Sequence, residues 1–310
     1  MALNQQLYSD HSRIWENLRY IYPVVSRRAG GVSLGINLNI DKVCNFGCIY
    51  CEVNRAEIPL YRNVDIAALE SELSAILALI KSDSFFNDPR FSRLWMKNTA
   101  PQVRDIAFSG DGEPTAFRNF AAVVHKVIQL RNALELQHIP ITLITNASMF
   151  HRESVLQAIK SITGAGGEIW AKLDAGSPEY FRQINRAAVP FDRILQNITT
   201  AGKVTPLILQ SCFMRVAGIG PERQEIAEYI QRIHEFAQAG ARISRIQVYT
   251  VTRPPADRTV TSLNKTELEA ICAQISAALP NIPAQRYDGF WSGYDDNDDD
   301  EAQRLTPKAN

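Results

Sequence analysis

Short, β-branched, near-continuous apolar runs alternate with longer amphipathic ones along most of the chain. The runs at 33–40, 103–108, 141–145, 168–173, 207–214 and 243–251 read as strands. Apolar residues on both faces are the pattern of parallel strands covered on each side. Between them lie helical periodicities at 65–82, 117–133, 152–162, 191–203, 221–239 and 264–279. In the first of these, Ile66, Leu69, Leu73, Ile76, Leu77 and Ile80 share one stripe, with Asp65 as N-cap. Pro221 stands at the first turn of the fifth. Six strands, each followed by a helix, predict an α/β fold, a partial (β/α)6 barrel of parallel strands with a C-terminal extension. Chemistry in such folds sits at the C-terminal ends of the strands.

The pattern divides the chain into an N-terminal segment, 1–32, a core at 33–260, and a C-terminal part at 261–310. That last part holds a helix, an aromatic segment and an acidic tail. Residues 84–100, rich in aromatics and arginine, read as an insertion in the core. The aromatic residues Tyr287, Phe290, Trp291 and Tyr294 form either a lid over the substrate opening or a clasp on the open edge of the barrel. The run DDNDDDE after them reads as a solvated or disordered tail.

Charge changes the picture only by exclusion. Thirty-three basic residues balance 33 acidic ones, so the basic surplus usual in nucleic-acid binders is missing. The first 20 residues are polar, and no apolar run approaches the length of a membrane span. The expectation is a cytoplasmic protein that binds neither membrane nor DNA.

Of five cysteines, three fall within eight residues as Cys44-x3-Cys48-x2-Cys51, directly after the first strand. Such a trio reads as metal binding in a reducing compartment, with zinc or three buried thiols as alternatives. Structural iron–sulfur and zinc sites normally use four protein ligands, so three leave one position open. Cys212 and Cys272 stand alone in apolar elements and read as small buried hydrophobes.

Immediately after the second strand comes Gly110-Asp111-Gly112-Glu113-Pro114. Its glycines allow close backbone approach to a ligand; alone, the motif reads equally as an ordinary strand-to-helix turn. Asn146, after the third strand, is either a cap or a ligand. Lys172 and Asp174 alternate with apolar neighbours at the end of the fourth strand, so both face inward, where charges are costly without a ligand. Gln210 and Ser211 either contact a ligand or satisfy buried polar groups. The segment 247–255 should flank the opening.

The cysteine spacing, the aromatic Tyr50 just before the last cysteine, and the glycine-rich motif resemble the radical S-adenosylmethionine (SAM) superfamily. They are most similar to the Fe–S oxidoreductase group related to wybutosine-synthesis enzymes. The resemblance covers residues 33–255 and implies a [4Fe–4S] cluster on Cys44, Cys48 and Cys51, with S-adenosyl-L-methionine chelated at the open iron. It further implies SAM contacts from Tyr50, Gly110, Asp111, Gly112, Glu113, Pro114, Asn146, Lys172, Asp174 and Gln210. In that family one electron, from an external flavodoxin- or ferredoxin-type donor, breaks the sulfur–C5′ bond, and the 5′-deoxyadenosyl radical abstracts hydrogen from substrate. The expected substrate is a small molecule or nucleoside. The alternatives are a tRNA base, which would need Arg27, Arg28, Arg90 and Arg93 on one basic face, and a glycyl-radical protein awaiting activation. A simple electron-transfer protein would have no use for the glycine-rich motif. No second cysteine cluster exists to hold an auxiliary cluster.

Overall fold

A computed structural model describes residues 18–26, 28–87, 102–287 and 289. Most of the 84–100 insertion, from 88 onward, and the aromatic and acidic segment from 290 onward lie outside the described residues, as does Arg27.

The expected strands form one curled sheet. In chain order its members are β1 (Ile21–Ser26), β2 (Gly31–Ile36), β3 (Val103–Phe108), β4 (Ile141–Thr145), β5 (Glu168–Lys172) and β6 (Leu207–Cys212). A short β7 (Met214–Val216) follows, then β8 (Ile243–Tyr249), β9 (Val260–Ser262) and β10 (Ala284–Tyr287). The sheet has eight strands in the order β1-β2-β3-β4-β5-β6-β8-β10, and β7 pairs with β9 apart from it. Every pairing from β2 to β10 is parallel, whereas β1 is antiparallel to β2. This is the partial barrel that the alternating pattern predicts, with one further strand on each edge. The sheet therefore runs from Ile21 to Tyr287, across both sequence boundaries at 33 and 260.

The helices α1 (Ile66–Lys81), α2 (Phe120–Ala133), α3 (Glu153–Gly164), α4 (Pro178–Asn185), α5 (Phe191–Val204), α6 (Arg223–Gln238) and α7 (Lys265–Ala278) alternate with the strands. Asp65 caps α1, accepting from the amides of Ala67 and Ala68. Leu69, Leu73, Ile76 and Leu77 of the stripe are buried. Asn264 and Glu267 cap α7 reciprocally. Two boundaries differ from the periodicity. Helix α2 starts at Phe120 because Pro114–Ala116 forms a separate 3-10 turn capped by Glu113. Helix α6 starts at Arg223 with Glu222 as its extended N-cap, so Pro221 precedes the helix.

Strand β2 ends at Ile36, four residues earlier than its apolar run, because Asn37 turns its side chain to other work. Asn37 Oδ1 accepts from the amides of Asn39 (3.0 Å) and Asp111 (3.1 Å), and its Nδ2 donates to Asp111 Oδ2 at 2.7 Å. The chain then leaves the sheet as the loop that carries the three cysteines. A similar interruption at Phe213 separates β6 from β7.

Edge strand β1 is held from outside the sheet. The Glu72 carboxylate, on α1, accepts from the amides of Arg19 (2.9 Å), Tyr20 (2.9 Å) and Ile21 (3.3 Å). Inside, the Tyr22 ring lies across Gly35, where any Cβ would fall 2.1 Å from Tyr22 Cζ. A glycine there admits the ring and lets the Tyr22 hydroxyl reach Ser109 Oγ at 2.7 Å. The Glu72→Ala substitution should lower stability by about 2 kcal/mol through loss of charge-assisted hydrogen bonds. Urea unfolding would measure it; an unchanged midpoint would show that β1 is held by the sheet alone.

Candidate active site

The cysteine loop crosses the C-terminal ends of the strands and is fastened on several sides. Asn45 Nδ2 donates to Ser148 Oγ at 2.7 Å, and Asn146 Nδ2 donates to Asn45 Oδ1 at 2.8 Å. Helix α4 ends beneath the loop, and its last carbonyls accept from it: Gly47 N to Asn185 O at 3.1 Å, Ile49 N to Ile184 O at 2.9 Å. Orphan carbonyls at a helix C-terminus are thereby satisfied by the loop they support. From the opposite side Arg253 pairs with Glu52 at 3.2 Å, and Ala256 N donates to Cys51 O at 3.3 Å.

The turn after β3 packs directly on this loop. A Cβ at Gly112 would fall 2.1 Å from Val43 O, and one at Gly110 would fall 2.4 Å from Asn37 Oδ1. Both positions thus need glycine for contact within the protein. The Asp111 carboxylate binds Asn37, and Arg55 NH1 donates to Asp111 O at 2.9 Å.

Glu113 is buried at 2% exposure. Its Oε1 accepts from Thr115 N (3.0 Å), Thr115 Oγ1 and Thr145 Oγ1 (2.6 Å), and its Oε2 accepts from Asn146 N at 2.7 Å. Burial pushes the carboxyl up from its ordinary pKa, and these hydrogen bonds oppose the shift. Asn146 does not cap α3, whose N-cap is Arg152. Its Oδ1 accepts from Ser148 N at 3.0 Å, so it shapes the turn after β4 while its amide reaches the cysteine loop.

Lys172 and Asp174 both face inward, as the alternation in β5 requires, but their surroundings differ. Asp174 is enclosed: Oδ1 accepts from Cys212 N at 2.9 Å, and Oδ2 accepts from Tyr50 OH and from Asn185 Nδ2 at 3.3 Å. Lys172 Nζ lies 3.6 Å from Asp174 Oδ1 and donates to Tyr249 OH at 2.7 Å. It also sits 4.9 Å from the Tyr50 ring centroid. Burial pulls the ammonium down, but Asp174 and the Tyr249 contact outweigh it, leaving Lys172 above its ordinary value. Asn185 Nδ2 also approaches Cys48 Sγ at 3.5 Å, and Arg55 NH2 approaches Cys51 Sγ at 3.6 Å.

A cavity of about 360 Å³, within the range for small-ligand sites, opens over these elements. Cys44, Cys48, Cys51, Tyr50, Gly110, Gly112, Glu113, Asn146, Lys172 and Gln210 all line it. Three of the expected contacts do not. Asp111 lines a neighbouring groove, Pro114 is buried at the first position of the 3-10 turn, and Asp174 stands behind Lys172. Gln210 donates to Gln247 Oε1 at 3.1 Å, and the Ser211 and Tyr229 hydroxyls are hydrogen-bonded at 2.6 Å, away from the cavity. The 247–255 segment does flank the opening through Tyr249, Thr250, Val251, Thr252 and Arg253. Tyr287 is a lining residue too; Phe290, Trp291 and Tyr294 lie outside the described residues. Cys212 is buried in β6 and also lines the cavity, while Cys272 is half-buried against Ala284 O.

Several lining residues escape a motif-based reading: Tyr22, Arg28, Ser33, Asp105 and Trp170. Asp105 carried a signal, since an acidic residue inside the apolar run of β3 shares its parity with Ala107. Asn185 did as well. Ser177-Pro178-Glu179 is a helix start, with Ser177 Oγ accepting from Tyr180 N at 3.1 Å, and it announces α4.

The donor set, three free cysteines on one cavity, fits the three protein ligands of a cluster. Among the described residues no three His, Cys, Asp or Glu side chains converge on one ion position. In a cubane each thiolate takes a different iron, so three sulfurs must ring a space instead of meeting at a point. All three cysteines are free and line one cavity. Burial pushes the Cys48 thiol up to about 12 and raises Cys44 as well. Such thiols become thiolates in company with a cation.

Known proteins bear on the same features. The chain is 23% identical over 253 residues to a protein called GTPase Obg from Brachyspira hyodysenteriae, covering 81% of this chain and 32% of that protein. It is 23% identical over 245 residues to a UPF0026 protein of Helicobacter pylori, covering 77% and 68%. The chain thus spans about a third of the first relative's length and about two thirds of the second's. A radical SAM methyltransferase from Sphaerobacter thermophilus shares the fold, with a TM-score of 0.58 at 10% identity over 86% of this chain and 68% of that one. The family model of the radical SAM superfamily matches residues 38–233, a span that begins at the cysteine loop and includes β3 through α5. With more than half of its length so matched, the chain belongs to the radical SAM superfamily of enzymes.

Proposed function

We propose that Cys44, Cys48 and Cys51 hold a [4Fe–4S] cluster and that S-adenosyl-L-methionine binds beside it, in contact with the Gly110–Glu113 turn. The observation that carries this reading is the direct packing of that turn on the cysteine loop, with both lining one cavity at the C-terminal ends of the strands. When bound, the pair supplies a carbon-centred radical for hydrogen abstraction, and the protein supplies position and shelter from water. Gly110 and Gly112 keep the backbone close, and Glu113 offers its remaining lone pair to an ammonium group. Lys172, Gln210, Tyr50 and Asn146 line the same space, while Asp174 acts by orienting Lys172 and Tyr50. The electron comes from an external flavodoxin- or ferredoxin-type donor.

The reaction is best read as an oxidoreductase step on a small molecule or nucleoside. A tRNA substrate is the second reading. Arg28, which a basic outer face would need, instead turns into the cavity over Tyr249, and Arg90 and Arg93 lie outside the described residues. Among the described residues no helix is long and apolar enough to cross a membrane.

Anaerobically reconstituted protein should bind about four irons per chain, as one cubane requires. With a strong reductant and S-adenosylmethionine it should release 5′-deoxyadenosine. Replacing all three cysteines by alanine should abolish both, and unchanged iron in that variant would refute the assignment. Glu113→Gln should keep the iron and weaken S-adenosylmethionine binding; wild-type affinity would show that the turn does not meet the ligand.

A second expectation concerns Asn185. Hydrogen bonds to cluster sulfurs raise a reduction potential, so Asn185→Leu should shift the cluster to a more negative potential while leaving iron content intact. A redox titration followed by electron paramagnetic resonance would read the shift, and an unmoved midpoint would sink the role assigned to the Asn185–Cys48 contact.

A further inference from the structure

The cavity also has charged lining residues that the reading above leaves without a task. Asp105 sits midway along β3, only 5% exposed, and lines the cavity. The three residues from Asp105 to Phe108 alone place it about 10 Å below the Gly110 turn, at the rise of an extended strand. Its Oδ1 has no hydrogen-bond partner. Burial pushes this carboxyl up, against the pull of the neighbouring Ser33 and Thr142 hydroxyls. A desolvated acceptor left unpaired is costly unless a ligand supplies the donor.

Arg28 is the second such group. It springs from the turn between β1 and β2, lines the same cavity, and lies over the Tyr249 ring at 4.7 Å from the centroid. The ring fixes the guanidinium plane. Among the described residues its donors meet no carboxylate or carbonyl, which leaves the planar fork open to an incoming acid. Arg28 also lowers the Asp105 pKa through space, so the two opposite charges face one volume without pairing directly.

We propose that Asp105 and Arg28 bind the substrate and that the substrate is a zwitterion of the amino-acid class, its ammonium on Asp105 and its carboxylate on Arg28. The proposal rests on the assignment of the cysteine loop and the glycine turn to the cluster and S-adenosylmethionine. A guanidinium fork matches a carboxylate with two parallel hydrogen bonds, and a buried, half-satisfied carboxylate favours a cationic donor over a neutral one. The aromatic faces of Tyr22 and Trp170, both lining residues, leave an apolar wall for the carbon chain from which hydrogen would be taken.

Three probes separate the contributions: L-norvaline, butylamine (the same skeleton without its carboxylate) and valerate (without its amine). Saturation-transfer NMR on the cluster-loaded protein with S-adenosylmethionine would rank them. L-norvaline should bind roughly tenfold or more tighter than either half, as one added ionic contact implies. Asp105→Asn should reduce its affinity to that of valerate, and Arg28→Gln to that of butylamine. Both variants should keep wild-type iron content and S-adenosylmethionine binding. L-norvaline that binds no better than its halves, or that is indifferent to both substitutions, would overturn the proposal. Failure of the cluster and S-adenosylmethionine assignment would appear separately, as low iron or absent S-adenosylmethionine binding in the unmodified protein.

Discussion

A carboxylate taken out of water must recover its hydrogen bonds inside the protein, and Glu113 does so by drawing two strand ends together. Thr115 belongs to its own turn, whereas Thr145 and Asn146 stand at the end of β4. Asn146, thus oriented, passes the constraint on to Asn45 in the cysteine loop. That loop is pressed in turn against Gly112, one residue before Glu113. The circuit closes on itself, so the cysteine loop, the glycine turn and the end of β4 hold one relative position. Glu113, Thr115, Thr145 and Asn146 are buried, and breaking one of their hydrogen bonds strands a polar group away from water.

A second network runs from Cys48 to Tyr249 in the wall of the cavity. Cys48 Sγ meets Asn185, Asn185 meets Asp174, and Asp174 holds Lys172, which reaches Tyr249. Inward-facing charges of this kind are costly in a closed barrel core. They are tolerable here because β1 and β10 do not meet. The opening admits ligand and solvent to Lys172, while Asp174 behind it is satisfied by the protein. One residue of the pair serves the cavity, and the other serves its neighbour.

Much of this was legible in the chain. The runs that became β3 and β4 match their strands to the residue, because both are central, parallel and almost wholly buried. The elements that were missed bury less or are interrupted. Strand β1 is an edge strand containing Pro23, and β10 is short and mixed in character. The early end of β2 depends on Asn37 bonding Asp111, 74 residues away, and no local pattern reports that. The cysteines and glycines were found through spacing. Asp105 and Arg28 belong to no motif, and only the curl of the sheet brings one from a strand and the other from a turn to the same cavity.

The support given by α4 has an electrostatic side. A helix C-terminus presents partial negative charge, which would oppose adding an electron to a cluster resting on it. The chain offsets this in two ways. The amides of Gly47 and Ile49 cover the last carbonyls of α4, so their charge is met by loop dipoles before it reaches the sulfurs. Asn185 then turns its own amide N–H toward Cys48, and Arg55, anchored by the carbonyls of Lys42 and Asp111, brings a guanidinium to Cys51. Donors face the sulfurs of Cys48 and Cys51, an orientation that would favour the reduced form of a cluster held there. The residue that ends the helix is thus also one that conditions the site, which is why the loop and α4 must be considered as a single unit.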